Sequence, residues 1–213
     1  PDLACNAKPA DRDLSNILVN GGKFTPMPSK VLEGDRSAQL ILPRIELLQA
    51  KDLAGVDTTT TKLQIDDDPA NPAASLVHWI SEEQMSFDIK PEKNVPQGVY
   101  TIKITNPDDT HAVEITQGIA VLPPPMLKEL KPPAICDDQS DQLVVLEGTN
   151  FLRYEDASGT VHLPTVRLSS TDPALGTKEY TPKDPPGGCA QVVGSFAEKK
   201  VELCTALTIT VKQ

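Results

Sequence analysis

Hydrophobic and polar residues alternate along several short segments of this chain. Residues 85–90 read MSFDIK, residues 99–105 read VYTIKIT and residues 207–212 read LTITVK. A period of two places one face of a β-strand against a core and the other face in water. No segment shows the period of about 3.6 residues that a long helix would have. The pattern therefore predicts an all-β protein built from short strands.

Turn-forming residues are spread along the whole chain and are not gathered in one tract. The 213 residues include 20 prolines and 12 glycines. These residues interrupt regular structure, so their spacing favours many short strands joined by turns. Aromatic residues make up only 4% of the chain, so any core must depend on valine, isoleucine and leucine.

The chain contains an internal repeat. Residues 17–24, ILVNGGKF, are similar to residues 144–151, VVLEGTNF, at an offset of 144 − 17 = 127. Each segment reads as an apolar strand, a glycine, two linking residues and a phenylalanine. Further matches lie in the same order along both copies: Cys5 with Cys136, residues 40–47 with 161–168, and residues 85–90 with 207–212. Ordered matches of this kind predict two copies of one strand arrangement.

Three consecutive prolines at positions 123–125 separate the two copies. Consecutive prolines favour the extended polyproline conformation and form a stiff junction. The predicted modules are residues 1–122 and residues 123–213. The second module has no counterpart of residues 91–122, so we expect it to lack its last strands. Either the parent protein continues and supplies them, or a separate segment completes the sheet by strand addition.

These motifs resemble the IPT/TIG family of immunoglobulin-like domains, found in plexins, some transcription factors and many bacterial surface proteins. Residues 21–24 and 148–151 are similar to its Gly-x-x-Phe motif. Residues 124–133 look like its opening strand, and residues 98–107, GVYTIKITNP, like its closing segment. The resemblance implies tandem immunoglobulin-like β-sandwiches of the bacterial secreted or cell-surface type, the second one truncated. The phenylalanine of each motif is expected in an equivalent core position.

The sequence contains no recognisable catalytic motif. His78, His111 and His162 lie in unrelated contexts, and neither a GxSxG nucleophile turn nor a glycine-rich phosphate loop occurs. A net charge of −10 without a dense basic cluster argues against nucleic-acid binding. No apolar run approaches the ~20 residues of a membrane span. We therefore predict a protein that is not an enzyme, binds no nucleic acid and has no transmembrane segment in this chain.

Acidic clusters are the candidate calcium ligands, because calcium prefers several oxygen ligands from one loop. The candidates are Asp66, Asp67 and Asp68, with Asp137, Asp138 and Asp141 as a second group. The first cluster lacks the EF-hand pattern, and Pro69 and Pro72 follow it, so an ordinary turn is the alternative interpretation. We predict no cofactor, and calcium is the one metal that these residues could hold.

Three aromatic side chains are candidate ligand contacts. Trp79, the only tryptophan, lies in the apolar run at residues 76–80. This run favours core packing for Trp79, whereas an exposed indole would stack on a sugar ring. Tyr154 and Tyr180 lie on the long inserts of the second module and are further candidates.

The four cysteines indicate an oxidising compartment. They form no CxxC pair and have no neighbouring histidine, so disulfides are expected and a zinc site is not. The first module has only Cys5, so its counterpart Cys136 needs no partner inside the second module. Cys189 and Cys204 are therefore predicted to bond to each other, whereas the partners of Cys5 and Cys136 stay open.

The leading hypothesis is a non-catalytic structural or adhesive repeat module, located outside the cell, at its surface or in the periplasm. Tandem sandwiches with a stiff junction would space or present a binding surface built from loops. The expected partners are a protein or glycan at a cell surface and neighbouring repeats of the same protein. The alternative is a carbohydrate-binding or accessory module of an extracellular enzyme or glycan-uptake system. Quenching of Trp79 fluorescence by one class of sugar would favour that alternative.

Overall fold

The computed structural model describes residues 3–5, 15–28, 40–65, 75–89, 95–108, 111–134, 140–169, 176–184, 186–194, 196 and 200–211. Within these residues every regular element is a β-strand and none is a helix, which confirms the all-β prediction. The strands are β1 (Leu3–Cys5), β2 (Ser15–Asn20), β3 (Met27–Pro28), β4 (Leu40–Ile41), β5 (Arg44–Lys51), β6 (Asp57–Ile65), β7 (Val77–Ser81), β8 (Gln84–Ile89), β9 (Gly98–Thr105), β10 (Ala112–Leu122), β11 (Met126–Lys131), β12 (Gln142–Glu155), β13 (Val161–His162), β14 (Val166–Ser169), β15 (Thr177–Tyr180), β16 (Ala190–Gln191) and β17 (Lys200–Val211).

The chain divides into two compact units. Unit 1 comprises Pro1–Pro123 together with Gly194–Phe196. Unit 2 comprises Pro124–Val193 together with Ala197–Gln213. The main division falls inside the run of three prolines, where the chain cannot form a central strand because proline has no backbone N–H to donate.

Unit 1 has two main sheets. One has the strand order β1-β10-β9-β5-β6, in which β1 runs parallel to β10 and all other neighbours are antiparallel. The other has the order β2-β8-β7, and β3 pairs with β4 in a short ladder of its own. Asp52 closes the turn between β5 and β6, because its Oδ1 accepts hydrogen bonds from the N–H groups of Ala54 and Val56 at 2.9 and 2.8 Å.

The core of unit 1 consists mainly of aliphatic side chains that alternate along these strands. Its members include Ile17, Val19, Phe24, Ile45, Leu47, Ile65, Met85, Phe87, Ile89, Tyr100, Ile102, Ile104, Ile119 and Val121. Removing each such side chain from water contributes roughly 1.5–3 kcal/mol before the entropy cost of ordering the chain is subtracted. The period of two that predicted the strands is therefore also what fills this core.

Unit 2 has one larger sheet and one separate hairpin. The sheet has the antiparallel order β11-β12-β17-β16, and β13 pairs with the C-terminal end of β12. The hairpin pairs β14 with β15. The buried core of this unit is smaller than that of unit 1 and consists of Val144, Leu146, Phe151, Val166, Cys204, Leu207 and Ile209.

The strand pairings of the two units follow the same register. In unit 1 Ile17 pairs with Phe87, and in unit 2 Val144 pairs with Ile209. The sequence repeat aligns these residues with each other, since 144 − 17 = 127 and 209 − 87 = 122. Two further ladders occupy corresponding places: Met27–Ile41 with Tyr154–His162, and Ile45–Ile65 with Val166–Tyr180. In these ladders the repeat aligns Ile41 with His162 and Ile45 with Val166. The repeat in the sequence is thus matched by a repeat in the hydrogen-bonded pairing.

Both Gly-x-x-Phe motifs adopt the same unusual backbone conformation. The residue before each phenylalanine is Lys23 in unit 1 and Asn150 in unit 2, and their φ angles are 63° and 62°. This left-handed region is sparsely populated by residues other than glycine. At this irregularity each phenylalanine enters its core, where Phe24 is 3% and Phe151 6% exposed. The two phenylalanines therefore occupy equivalent positions.

The glycine of each motif lies directly beneath the aromatic ring. A Cβ atom added to Gly21 would lie 2.7 Å from Cζ of Phe24, and one added to Gly148 would lie 2.7 Å from Cζ of Phe151. Atoms in van der Waals contact are normally 3.5–4.0 Å apart, about an ångström farther. Only glycine therefore lets the ring close over the backbone at this position.

Replacing Gly148 with alanine is expected to lower the free energy of unfolding of unit 2 by about 1–3 kcal/mol. The added methyl group would overlap the carbonyl oxygen of Met126 as well as the ring of Phe151. Gly22→Ala is the matched control, because a Cβ there meets nothing within 4 Å. Denaturant unfolding, monitored by amide exchange in each unit, measures the free energy of unfolding of both variants. Equal losses for the two variants would contradict the ring-on-glycine packing.

Candidate functional site

Most of the predicted calcium ligands cannot be placed. The residues that lie outside the described segments are Asp66, Asp67, Asp68, Asp137 and Asp138. Asp141 is described, and it is exposed just before β12. Over the described segments, no group of three or more His, Cys, Asp or Glu side chains is arranged to hold a metal ion. The calcium hypothesis therefore still depends on the sequence alone.

Trp79 on β7 connects two segments of unit 1. Its indole N–H donates a hydrogen bond to the backbone carbonyl of Phe24 at 2.9 Å. The residue is 37% exposed, so it is neither a fully buried core residue nor a free surface aromatic. Because the N–H is already used, a ligand would meet only the exposed part of the ring.

The two candidate tyrosines have different surroundings in unit 2. Tyr180 on β15 pairs with Val166 and packs, partly buried, against the core of the unit. Tyr154 on β12 pairs with His162 on β13, and their rings stack with centroids 4.6 Å apart and planes inclined by 12°. Tyr180 thus serves packing, whereas Tyr154 belongs to a polar cluster.

The polar cluster, here named the Tyr154 cluster, consists of Tyr154, His162 and the turn that joins β12 to β13. Nε2 of His162 donates to Oδ2 of Asp156 at 2.8 Å. Oδ1 of Asp156 accepts from the N–H and hydroxyl of Ser158 at 2.9 and 2.6 Å and from the N–H of Thr160 at 3.0 Å. The bond from His162 is the largest of several that hold the pKa of Asp156 well below its usual range.

The hydrogen bonds of this cluster do not form a relay for nucleophilic catalysis. In a catalytic triad the imidazole lies between the serine and the carboxylate, so that it can take the serine proton. Here Ser158 and His162 bind separate oxygens of Asp156, and the Ser158 hydroxyl also lies 2.9 Å from that of Thr160. The arrangement instead fixes the turn and holds an aromatic pair at the surface of the unit.

Sequence reasoning placed His162 in a context unrelated to the other histidines, took Tyr154 as a candidate ligand contact, and missed this cluster. Two signals point to it. The segment DASGT at residues 156–160 carries an Asp and a Gly at the positions that favour a side-chain-closed turn. The repeat also aligns Tyr154 and His162 with Met27 and Ile41, which pair directly in unit 1. Together these signals place the two rings opposite each other.

Acid is expected to weaken unit 2 through Asp156. The folded-state pKa lies below that of the unfolded chain, about 3.9, so the carboxylate contributes stability above that value. This contribution is lost as the pH falls from there through the folded pKa. Amide exchange of β12 reports the stability of unit 2. Between about pH 5 and about pH 2.5, that stability should fall less in Asp156→Asn than in the native chain. An unchanged acid profile in that variant would refute the assignment.

Among the described residues of unit 2, Arg153 is the buried cation, with 8% of its surface exposed. Its guanidinium donates to both oxygens of Asp184 at 2.7 and 3.2 Å and to Glu202 at 2.8 Å. The pairing with Arg153 holds the pKa of Asp184 below its usual range. Arg153 lies two residues after Phe151 and thus on the same strand face. The network therefore neutralises a charge at the margin of the core.

Cys189 and Cys204 form a disulfide, the pair that the sequence indicated. Cys204 is fully buried on β17, whereas Cys189 is exposed just before β16. Because Ala190 pairs with Leu203, the bond joins positions that face each other across neighbouring strands. Cys136 lies outside the described residues, and so does the side chain of Cys5.

No family model, curated protein or solved structure matches this chain. The described part of the chain has no helix with the length and apolar character that crossing a membrane requires. Function must therefore be inferred from the strand arrangement and the chemistry of the chain itself.

Proposed function

We propose that both units are immunoglobulin-like β-sandwiches of the IPT/TIG type, and that the chain is a non-catalytic structural or adhesive module. The strand order of unit 1 carries this proposal. In an immunoglobulin sandwich strands A, B, E and D form one sheet, and strands G, F and C form the other, with C′ added in the variable type. The order β2-β8-β7 corresponds to B-E-D, and the order β10-β9-β5-β6 corresponds to G-F-C-C′.

The strand order of unit 2 supports the same assignment. Its sheet β11-β12-β17-β16 corresponds to A-B-E-D, and its hairpin β14-β15 corresponds to C-C′. Counterparts of F and G are not found among the strands described in this unit. The equal registers and the equal Gly-x-x-Phe turns argue that the two units are versions of one domain.

The chemistry of the chain supports a location outside the cytoplasm. Disulfides such as Cys189–Cys204 persist in secreted proteins, at cell surfaces and in the bacterial periplasm, whereas cytosolic thiols are kept reduced. The net charge of −10 favours solubility and disfavours binding to a phosphate backbone. The polar residues that come together in unit 2 stabilise a turn and a core margin. The scaffold is therefore proposed to present loops to a protein or glycan at a cell surface.

Labelling of intact cells tests the location and the role together. A membrane-impermeant, lysine-reactive biotin reagent should label the natural protein without permeabilisation. The recombinant chain, immobilised on beads, should retain a surface protein or glycan from the same source. Labelling that requires lysis, with Cys189 and Cys204 found as free thiols, would overturn the proposal.

The partial exposure of Trp79 is the observation that favours the alternative, a carbohydrate-binding or accessory module. Because Trp79 is the only tryptophan, fluorescence titration with sugars reports on that site alone. The structural or adhesive role predicts no saturable quenching. Saturable quenching by one class of sugar would favour the alternative.

A further inference from the structure

Strand β14 of unit 2 has one edge without a described partner. Its counterpart β5 in unit 1 pairs with β6 on one side and with β9 on the other. β14 pairs with β15 on the side that corresponds to β6. On the opposite side, none of the strands described in this structure pairs with it. Unpaired N–H and C=O groups along such an edge form a template for an added strand.

The core of unit 2 is open where unit 1 is closed. Leu47 and Ile89 of unit 1 are completely or almost completely buried, at 0% and 3% exposure. Their counterparts Leu168 and Val211 are only partly buried. In unit 1 the cover comes from the hairpin β9-β10, whose inward side chains are Tyr100, Ile102, Ile104, Ile119 and Val121. The missing cover in unit 2 therefore has the size and the chemistry of a two-stranded hairpin.

We propose that unit 2 binds a β-hairpin of a partner polypeptide at the free edge of β14. Its first strand runs antiparallel to β14, as β9 runs to β5. Its inward positions carry branched aliphatic side chains in alternation with polar ones, because they must cover Leu168 and Val211. This mode of recognition combines backbone hydrogen bonds for affinity with side-chain pockets for specificity.

A second copy of this chain is not the proposed occupant. Among the described strands, the hairpin β9-β10 has the suitable pattern, and that hairpin is already paired and buried in unit 1. Ile102 and Ile119 are 3% and 0% exposed, and β9 pairs with β5 along its length. Donating this hairpin to another molecule would open the core of unit 1. Swapping hairpins between two molecules would therefore break as many apolar contacts as it forms.

A synthetic peptide of residues 98–122 is a suitable probe for the 213-residue chain. In unit 1 its Ile102 faces Leu47 and its Ile104 faces Ile45. The corresponding residues of unit 2 are Leu168, which is identical, and Val166, which is one methylene smaller. The peptide should slow amide exchange at Val166–Ser169 by at least about tenfold and leave Arg44–Lys51 unchanged. A peptide carrying Ile102→Asp and Ile104→Asp keeps the length and the turn, and it should have no effect.

Three results would overturn this inference. The first is an unchanged exchange rate at Val166–Ser169 with peptide at about 1 mM, a concentration that reveals even weak binding. The second is protection that the charged control peptide gives equally. The third is protection of the same residues that rises with protein concentration in the absence of peptide, because the occupant would then be a second copy of the chain.

Discussion

Replacing Phe151 with alanine is expected to lower the free energy of unfolding of unit 2 by about 3–5 kcal/mol. The ring lies in the smaller of the two cores and covers Gly148, so few neighbours can move in to fill the cavity. Such a loss is a large part of the stability of a small domain, typically ~5–15 kcal/mol. Phe24→Ala should cause a loss of similar size in unit 1, because that ring occupies the equivalent position.

The two units must be followed separately to test this expectation. Trp79 fluorescence reports on unit 1, and amide exchange of β12 and β17 reports on unit 2. Leu143→Ala is the matched control on the same strand as Phe151, since Leu143 is 53% exposed and should lose less than about 1 kcal/mol. Equal losses for Phe151→Ala and Leu143→Ala would show that the ring does not carry the core of unit 2.

Removal of the disulfide is expected to lower the free energy of unfolding of unit 2 by about 3 kcal/mol. Cys189 and Cys204 are separated by 15 positions, and the bond restricts the unfolded chain by closing that loop. Cys189→Ser is the appropriate variant because Cys189 is exposed, whereas Cys204 remains in the core as a small apolar side chain.

Reduction of the native protein should reproduce the effect of that variant. A thiol reductant should lower the denaturant midpoint of unit 2 and leave the Trp79 transition of unit 1 unchanged. The same reductant should have no further effect on the stability of unit 2 in Cys189→Ser. A further loss there would contradict the assignment of the effect to the Cys189–Cys204 bond.

The sequence predicted those features of the fold that depend on local pattern. A period of two identifies strands such as β8 and β17, and the offset between the copies predicts which residues of one unit correspond to which residues of the other. The geometry of the Gly-x-x-Phe motif is also local. The glycine beneath the ring and the left-handed residue before the phenylalanine both lie within the motif itself. These features need no knowledge of residues far away in the chain.

Features that join distant residues were not predicted. Arg153 is buried only because Asp184 and Glu202, which are 31 and 49 positions away, neutralise it. A polar residue on a strand reads as solvent-facing unless its partners are known. The Tyr154 cluster likewise forms only when β12 and β13 pair in one particular register. Trp79, predicted as a core or ligand residue, instead bonds to the carbonyl of Phe24, 55 positions away.

The shared register of the two units is the central claim, and cross-strand NMR contacts in the 213-residue chain test it most directly. We expect contacts between the backbones of Ile17 and Phe87 in unit 1 and between those of Val144 and Ile209 in unit 2. A shift of one residue in either ladder would turn every side chain of that strand to the opposite face. Contacts from Val144 to Thr208 or Thr210 in place of Ile209 would therefore contradict the claim that both units are built on one fold.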